Sequence, residues 1–199
     1  MHPTAYELGR GLFATYWRTD FHRILDVGAL NVNGTLRDFR PEAAEYVGID
    51  LQPGDGVDMV LTDPYHYPFP DGHFDMVVST SCFEHDPMFW LSFLECCRML
   101  PEGGILYINA PSAGSYHRHP MDHWRFYPDA AVALELWGRR MLQPIRCVES
   151  FMMTEGGWLD NVMIFTKGAF VPKRYLFESF TTAAHVRRTV GASAGPAGA

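Results

Sequence analysis

Short apolar runs alternate with helix-like segments through the central part of the chain. The runs lie at 23–29, 45–50, 57–61, 74–79 and 105–110. A helix is predicted after the fourth run, because Asp86 suits an N-cap and apolar residues recur at helical spacing from Trp90 to Leu100. A second helix is predicted over 129–140. Strands that alternate with helices indicate βαβ units on a mostly parallel sheet.

Two further apolar runs follow, at 145–151 and 161–166, and the loop between them contains Gly156 and Gly157. No helix fits between these runs, so the pattern predicts an antiparallel hairpin. The predicted fold class is therefore α/β, with a doubly wound, mostly parallel seven-stranded sheet that has a C-terminal antiparallel strand.

The 199 residues have the length of one domain with short extensions. We expect an N-terminal accessory helix or arm at 1–20, the main domain at 21–170, a C-terminal arm at 171–190 and a disordered tail at 191–199. Tyr16 and Trp17 of the first arm either pack on the sheet edge or cover a pocket. The same aromatic arm is a candidate surface for a homodimer.

Charge and cysteine content narrow the classes of function. Lys and Arg number 16 against 23 Asp and Glu, a net charge of -7, which argues against a nucleic-acid partner because such proteins usually carry a basic face. No apolar run approaches the roughly 18 residues of a membrane span, and we expect no secretory signal. The four cysteines form no CxxC pair, so we expect reduced thiols, a cytoplasmic location and no structural zinc.

Acidic residues end three of the predicted strands, at Asp26, Asp50 and Asp63. Open α/β sheets bind ligands at these strand ends, and a carboxylate about 20 residues beyond the first glycine loop can accept ribose hydroxyls. Asp50 occupies that position relative to Gly28, and Asp63 suits an adenine amino group. The dinucleotide fingerprint GxGxxG is absent. The pattern therefore favours a nucleoside ligand without phosphates, such as S-adenosylmethionine.

Several segments resemble class I S-adenosylmethionine-dependent methyltransferases. They are Ile24-Leu-Asp-Val-Gly28, Tyr46-Val-Gly-Ile-Asp50, Tyr67-Pro-Phe-Pro-Asp-Gly-His-Phe-Asp75, Phe83-Glu-His85 and Leu100-Pro-Glu-Gly-Gly104. The resemblance covers roughly residues 23–167 and implies a Rossmann-like methyltransferase fold with S-adenosylmethionine as its cofactor. A narrower likeness is to methyltransferases associated with glycan and polysaccharide biosynthesis. It lies in the runs Asp26-Val-Gly-Ala-Leu-Asn-Val-Asn-Gly-Thr-Leu-Arg37, Asp63-Pro-Tyr65 and His117-Arg-His-Pro-Met-Asp-His-Trp-Arg-Phe-Tyr-Pro-Asp129. It implies a sugar or glycoconjugate acceptor.

The residues that we predict to bind the cofactor lie at the strand ends and in the loops that follow them. They are Asp26, Gly28, Asn31, Asp50, Leu51, Asp63, Pro64 and Ser79.

Candidates for the chemistry lie beyond the fourth and fifth predicted strands. His85 is a candidate base because imidazole titrates near neutral pH. His117 is another, and either it or His119 pairs with Asp122 to make an oriented base. We assign no metal, since the spacing of His117, His119 and Asp122 is not diagnostic of one. The predicted substrate-binding residues come from the same loop and are His119, Trp124 and Arg125.

Two functions of different classes fit these residues. The first is an S-adenosylmethionine-dependent methyltransferase, with O-methylation of a sugar, glycoconjugate or small-molecule hydroxyl as the expected reaction, although N- and C-methylation stay open. The second is a non-catalytic cofactor-binding or partner module that retains the methyltransferase fold. A nicotinamide-dependent oxidoreductase is disfavoured by the missing GxGxxG fingerprint and by the chain length.

Overall fold

The computed structural model describes residues 2–189, so the predicted tail at 191–199 lies outside the described residues. Its strands are β1 (Arg23–Val27), β2 (Glu45–Asp50), β3 (Met59–Val60), β4 (Met76–Thr80), β5 (Ile105–Pro111), β6 (Ile145–Met153), β7 (Asp160–Lys167) and β8 (Ala183–Arg188). Its α-helices are α1 (Pro3–Tyr16), α2 (Phe89–Met99) and α3 (Ala130–Arg140). The strands form one eight-stranded sheet in the order β3-β2-β1-β4-β5-β7-β6-β8.

The sheet is parallel over its first five positions and antiparallel beyond them. β1 pairs in parallel with β2 and β4, and β4 with β5. β7 then pairs antiparallel with β5 and β6, which confirms the predicted hairpin. Since β1 lies between β2 and β4, the strand order reverses at the β1–β4 boundary. A crevice outside the carboxyl ends of the strands is expected at such a boundary.

Helices cover both faces of the sheet, and this is why the central strands are buried on both faces and mostly apolar. All residues of β4 and β5 are buried. Alternate side chains reach opposite cores: Ile24 and Met76 pack in a cluster with residues of α1, whereas Leu25 and Val77 pack in a cluster with residues of α2 and α3. The doubly wound α/β fold class is confirmed.

Two elements differ from the sequence prediction. The segment expected to be an arm at 171–190 contributes β8, an eighth strand, whose half-exposed sequence Ala-Ala-His-Val-Arg-Arg lacks the apolar alternation that would have indicated a strand. Helix α2 begins at Phe89 rather than directly after Asp86. Asp86 instead caps the turn ahead of the helix, where its carboxylate accepts hydrogen bonds from the Met88 backbone N–H at 2.9 Å and from the Ser92 hydroxyl.

Glu149 joins three distant parts of the chain inside the protein. Its side chain lies on β6 and is fully buried. The carboxylate accepts hydrogen bonds from the hydroxyl of Tyr16 on α1, from the Leu176 N–H at 2.6 Å and from the Phe177 N–H at 3.1 Å. Tyr16 therefore packs on the sheet and does not cover a pocket. Because a buried carboxylate needs several donors, this residue fastens both terminal segments to the sheet.

Within residues 2–189, no helix has both the length and the apolar character that a bilayer crossing requires.

We expect Tyr16→Phe to lower the free energy of unfolding by about 1–3 kcal/mol, because the substitution removes one donor from a buried carboxylate. Urea denaturation of both proteins measures this difference. Tyr6→Phe is the matched control, since the Tyr6 hydroxyl donates to the exposed Asp38 carboxylate at 3.0 Å and its loss should cost about 0.5 kcal/mol or less. Equal losses in the two variants would contradict the role given to Glu149.

Candidate active site

A cavity of about 620 Å³ opens at the carboxyl ends of β1, β2 and β4. This volume lies in the usual range for small-molecule and cofactor sites. The lining residues come from the strand ends and from four loops, at 26–36, 49–52, 61–65 and 80–87, and from the loop after β5 at 111–123. The cavity thus occupies the crevice at the β1–β4 boundary. His2 and Trp158 contribute to its wall from outside the sheet core.

Gly28 lets the loop after β1 approach the loop after β4. Its φ is +81°, and a Cβ at this position would lie 2.5 Å from the Cys82 Sγ. The Gly28 and Ala29 N–H groups both donate to the Ile49 carbonyl, at 3.0 and 3.1 Å. Only glycine satisfies both the backbone conformation and this close approach, and the resulting tight turn forms one wall of the cavity.

The predicted carboxylates Asp26 and Asp50 both line the cavity, in different environments. Asp26 is buried and accepts a 2.6 Å hydrogen bond from the Tyr46 hydroxyl. Burial raises the pKa of the Asp26 carboxyl to about 6, although the Tyr46 hydrogen bond and the charge of Arg37 partly oppose this shift. Asp50 is half-buried at the end of β2, and its two oxygens accept the Leu30 and Gln52 N–H groups, each at 3.1 Å. Three more of the residues predicted to bind the cofactor line the cavity, namely Gly28, Leu51 and Pro64.

Three residues predicted to bind the cofactor do not line the cavity. Asn31 shapes the loop, because its amide donates to Asp55 at 2.7 Å and its carbonyl accepts the Gly34 N–H at 2.8 Å. Asp63 is exposed and accepts the Tyr65 N–H at 2.8 Å. The Ser79 hydroxyl donates to the Val27 carbonyl at 2.8 Å, inside the sheet. The polar groups of these three residues hydrogen-bond within the protein instead.

At the other end of the cavity, Glu84, His85 and His117 form a cluster in which one ligand-type atom from each residue lies within 4.8 Å of the others. The His85 and His117 rings meet edge to face with centroids 4.9 Å apart. Glu84 is 1% exposed, and burial raises the pKa of its carboxyl to about 8. Burial also lowers the pKa of His85. The structure thus brings both predicted catalytic histidines together.

Asp122 does not line the cavity, and it orients other residues of the loop after β5. Its carboxylate accepts two hydrogen bonds from the Arg125 guanidinium, at 2.5 and 2.8 Å, and one from the His117 N–H at 2.8 Å. The Arg125 guanidinium holds the pKa of the Asp122 carboxyl well below its usual range. A carboxylate bound in this way positions His117 and does not itself accept a proton near neutral pH.

The predicted substrate-binding residues divide between two surfaces. His119 lines the cavity. Trp124 and Arg125 instead line a separate aromatic hollow of about 450 Å³ beside α3, and the Trp124 indole N–H donates to the Asp86 carbonyl at 2.9 Å. Arg125 is engaged by Asp122. These two residues therefore hold the loop in place and do not line the cavity.

Sequence reasoning did not select Glu84 or Trp158, although both line the cavity. Glu84 lies inside the Phe83-Glu-His85 segment. Its position next to a candidate base could have indicated in the sequence that it belongs to the site. Its backbone carbonyl also accepts the His123 and Trp124 N–H groups, at 2.8 and 3.1 Å, which ties the loop after β5 to the loop after β4. Trp158 lies in the β6–β7 turn, and its ring stands 4.6 Å from that of His117, a contact between residues 41 positions apart that no local pattern indicates.

Solved structures with similar folds come from several organisms. Burkholderia thailandensis 1,6-didemethyltoxoflavin-N1-methyltransferase, solved with S-adenosylhomocysteine, aligns with a TM-score of 0.63 at 17% identity over 84% of this chain and 79% of that one. An S-adenosylmethionine-dependent methyltransferase from Archaeoglobus fulgidus aligns with a TM-score of 0.58 at 16% identity, over 81% and 94%. The [4+2]-cyclase SpnF aligns with a TM-score of 0.58 at 16% identity, over 82% of each chain. At these identities the likeness shows the fold.

A comparison with curated protein sequences gives no match. The family described as "Methyltransferase domain" matches residues 8–108, slightly more than half of the chain, from α1 through most of β5. Together with the neighbour that contains S-adenosylhomocysteine, this match indicates S-adenosylmethionine as the cofactor. The chain belongs to the methyltransferase-domain family.

Proposed function

We propose that the protein transfers a methyl group from S-adenosylmethionine to a hydroxyl of a sugar, a glycoconjugate or a similar small molecule. One observation carries this proposal. A single cavity joins the strand-end carboxylates Asp26 and Asp50 to a cluster that contains His85 and His117. The first end suits a nucleoside with an amino-acid tail, and the second suits an acceptor that must lose a proton.

The residues at the first end fit the cofactor. Asp50 is proposed to accept hydrogen bonds from the ribose hydroxyls, because it ends β2 at the cavity wall. Asp26 is proposed to hold the ammonium group of the amino-acid portion, since a buried carboxylate gains most from a cation. Leu51 and Pro64 supply apolar wall for the adenine. When bound, S-adenosylmethionine supplies a methyl group activated by a positively charged sulfur.

The residues at the second end fit a polar acceptor. His85, His117 and His119 bring imidazole groups to the cavity wall, and imidazole groups beside an acceptor affect its hydroxyl proton near neutral pH. Asp122 positions His117 through the contacts described above. The ring of Trp158 presents a flat apolar surface beside them, which suits the C–H face of a sugar ring. Holding the acceptor in line with the methyl group accounts for much of the barrier reduction in such transfers, on the order of 7–11 kcal/mol.

Asp50→Ala should weaken S-adenosylhomocysteine binding about 10- to 100-fold, because the ribose hydroxyls lose a charged acceptor. Isothermal titration calorimetry measures the Kd, and thermal unfolding shows whether the variant stays folded. Asp71→Ala is the control, since this exposed carboxylate pairs with Arg98 at 2.8 Å and does not line the cavity. An unchanged Kd in a folded Asp50→Ala variant would reject the ribose assignment.

Cofactor affinity should fall as the pH drops through about 6. The raised pKa of Asp26 means that its carboxyl is ionised above pH 6 and neutral below it, and only the ionised form attracts an ammonium group. Between pH 7.5 and pH 5 we expect the Kd for S-adenosylhomocysteine to rise about tenfold in the wild type. Asp26→Asn should bind more weakly at pH 7.5 and lack this dependence. If the variant kept the wild-type pH profile, Asp26 would not be the responsible group.

A panel of acceptors tests the reaction itself. The protein is incubated with S-adenosylmethionine and one acceptor at a time, and the products are analysed by mass spectrometry. The acceptors are free sugars, nucleotide sugars, oligosaccharides, phenols and amines. We expect methyl transfer to the hydroxyl acceptors. Transfer to amines alone would contradict O-methylation. Cofactor binding without transfer to any acceptor would favour the non-catalytic alternative.

A further inference from the structure

The cluster at the acceptor end of the cavity has the composition of a metal site. Glu84, His85 and His117 each present a ligand-type atom, all within 4.8 Å of one another, and all three residues line the cavity. Two imidazoles and one carboxylate are a ligand set that holds Zn²⁺ in catalytic sites and leaves a coordination position open. That open position would face the cavity.

The two histidine rings differ in their contacts. The Nδ1 of His85 contacts the Met121 carbonyl, and a backbone carbonyl is a common partner behind a metal-bound histidine. This contact leaves the Nε2 of His85 as the ligand, and that atom lies 3.7 Å from the Oε1 of Glu84. The Nδ1 of His117 is buried and lies 3.2 Å from the Asp122 carboxylate, but it has no hydrogen-bond partner among residues 2–189. A buried nitrogen of the cluster is therefore left unsatisfied.

Glu84 provides an independent observation that points to a ligand. Its Oε2 is buried and has no hydrogen-bond partner among residues 2–189. A buried carboxylate oxygen without a partner is costly, and a cation bound to it would remove that cost.

We infer that Glu84, His85 and His117 bind one divalent transition-metal ion of the Zn²⁺ class, while the Met121 carbonyl holds the ring of His85 and Asp122 holds the backbone of His117. Ligand atoms at about 2.0–2.2 Å from a tetrahedral ion lie roughly 3.3–3.5 Å apart. Small rotations of these side chains close the remaining distance, and His117, with 32% of its side chain exposed, has room to move.

The role of this ion rests on the proposed function. If bound here, the ion would lower the pKa of an acceptor hydroxyl that reached it, and the hydroxyl proton would pass to solvent water. The acceptor oxygen would form a bond to the methyl carbon while the carbon–sulfur bond broke, and the electron pair of that bond would neutralise the sulfonium. The two histidines thus act on the acceptor proton through the ion.

Metal titration of the full chain tests the inference without any acceptor. After treatment with a chelator and its removal, the wild type should bind one Zn²⁺ per chain by calorimetry, and Co²⁺ should give the intense visible absorption of a tetrahedral site. Glu84→Gln, His85→Asn and His117→Asn should each weaken binding at least 10- to 100-fold, and Asp122→Asn should weaken it about tenfold or more. His22→Asn, an exposed histidine outside the cavity, should bind as the wild type does.

The results separate this inference from the proposed function. The inference would be overturned if the wild type bound no stoichiometric ion. It would also be overturned if folded Glu84→Gln and His117→Asn variants bound the ion with wild-type affinity. Loss of binding in His119→Asn with retention in His85→Asn would overturn it as well, since that pattern indicates a different ligand set. The wild-type Co²⁺ spectrum and stoichiometry decide the matter even if a variant fails to fold. S-adenosylhomocysteine affinity of the metal-free chain is a separate measurement that tests the cofactor end of the cavity.

Discussion

The burial of β1 between two parallel neighbours is the constraint on which the rest of the structure depends. β1 pairs with β2 on one side and β4 on the other, and apolar clusters cover both of its faces. Parallel pairing forces the carboxyl ends of these three strands to one edge of the sheet. The chain must then leave each strand by a loop at that edge, so Asp26, Asp50 and the Glu84–His85 segment meet there although they are distant in sequence.

Glu84 assembles the part of the cavity that it forms with His85 and His117 in two ways. Its backbone carbonyl accepts the His123 and Trp124 N–H groups, which brings the long loop after β5 over the loop after β4. Its carboxylate also lies within 4.8 Å of a ring nitrogen of His117 from that same loop. Trp124, packed 5.5 Å from the Phe89 ring, anchors the outer side of the loop to α2. The polar cluster therefore stands on a rigid support, because backbone hydrogen bonds and aromatic packing both fix the loop that carries His117.

The sequence predicted the fold well where local patterns are strong. Continuous apolar runs predicted β4 and β5 because both faces of these strands are buried. β8 was missed because an edge strand with half-exposed, charged residues carries no such pattern.

Strand ends likewise predicted Asp26 and Asp50 at the cavity, because topology fixes where those residues lie. The functions of Asn31, Ser79 and Arg125 could not be predicted, since they depend on hydrogen-bond partners that only the folded chain brings near. The proximity of Glu84 to His117 could not be predicted for the same reason, because the two residues lie in different loops that only the folded chain brings together.

The two margins of the sheet have a consequence for how the protein behaves in concentrated solution. On one side β3 is only two residues long, and on the other β8 carries Arg187 and Arg188, the first of which pairs with Asp129. Exposed strand margins tend to recruit other chains into aggregates, and short length or positive charge discourages that recruitment. By covering β6 with a charged edge strand, β8 thus protects the hairpin of β6 and β7 from self-association.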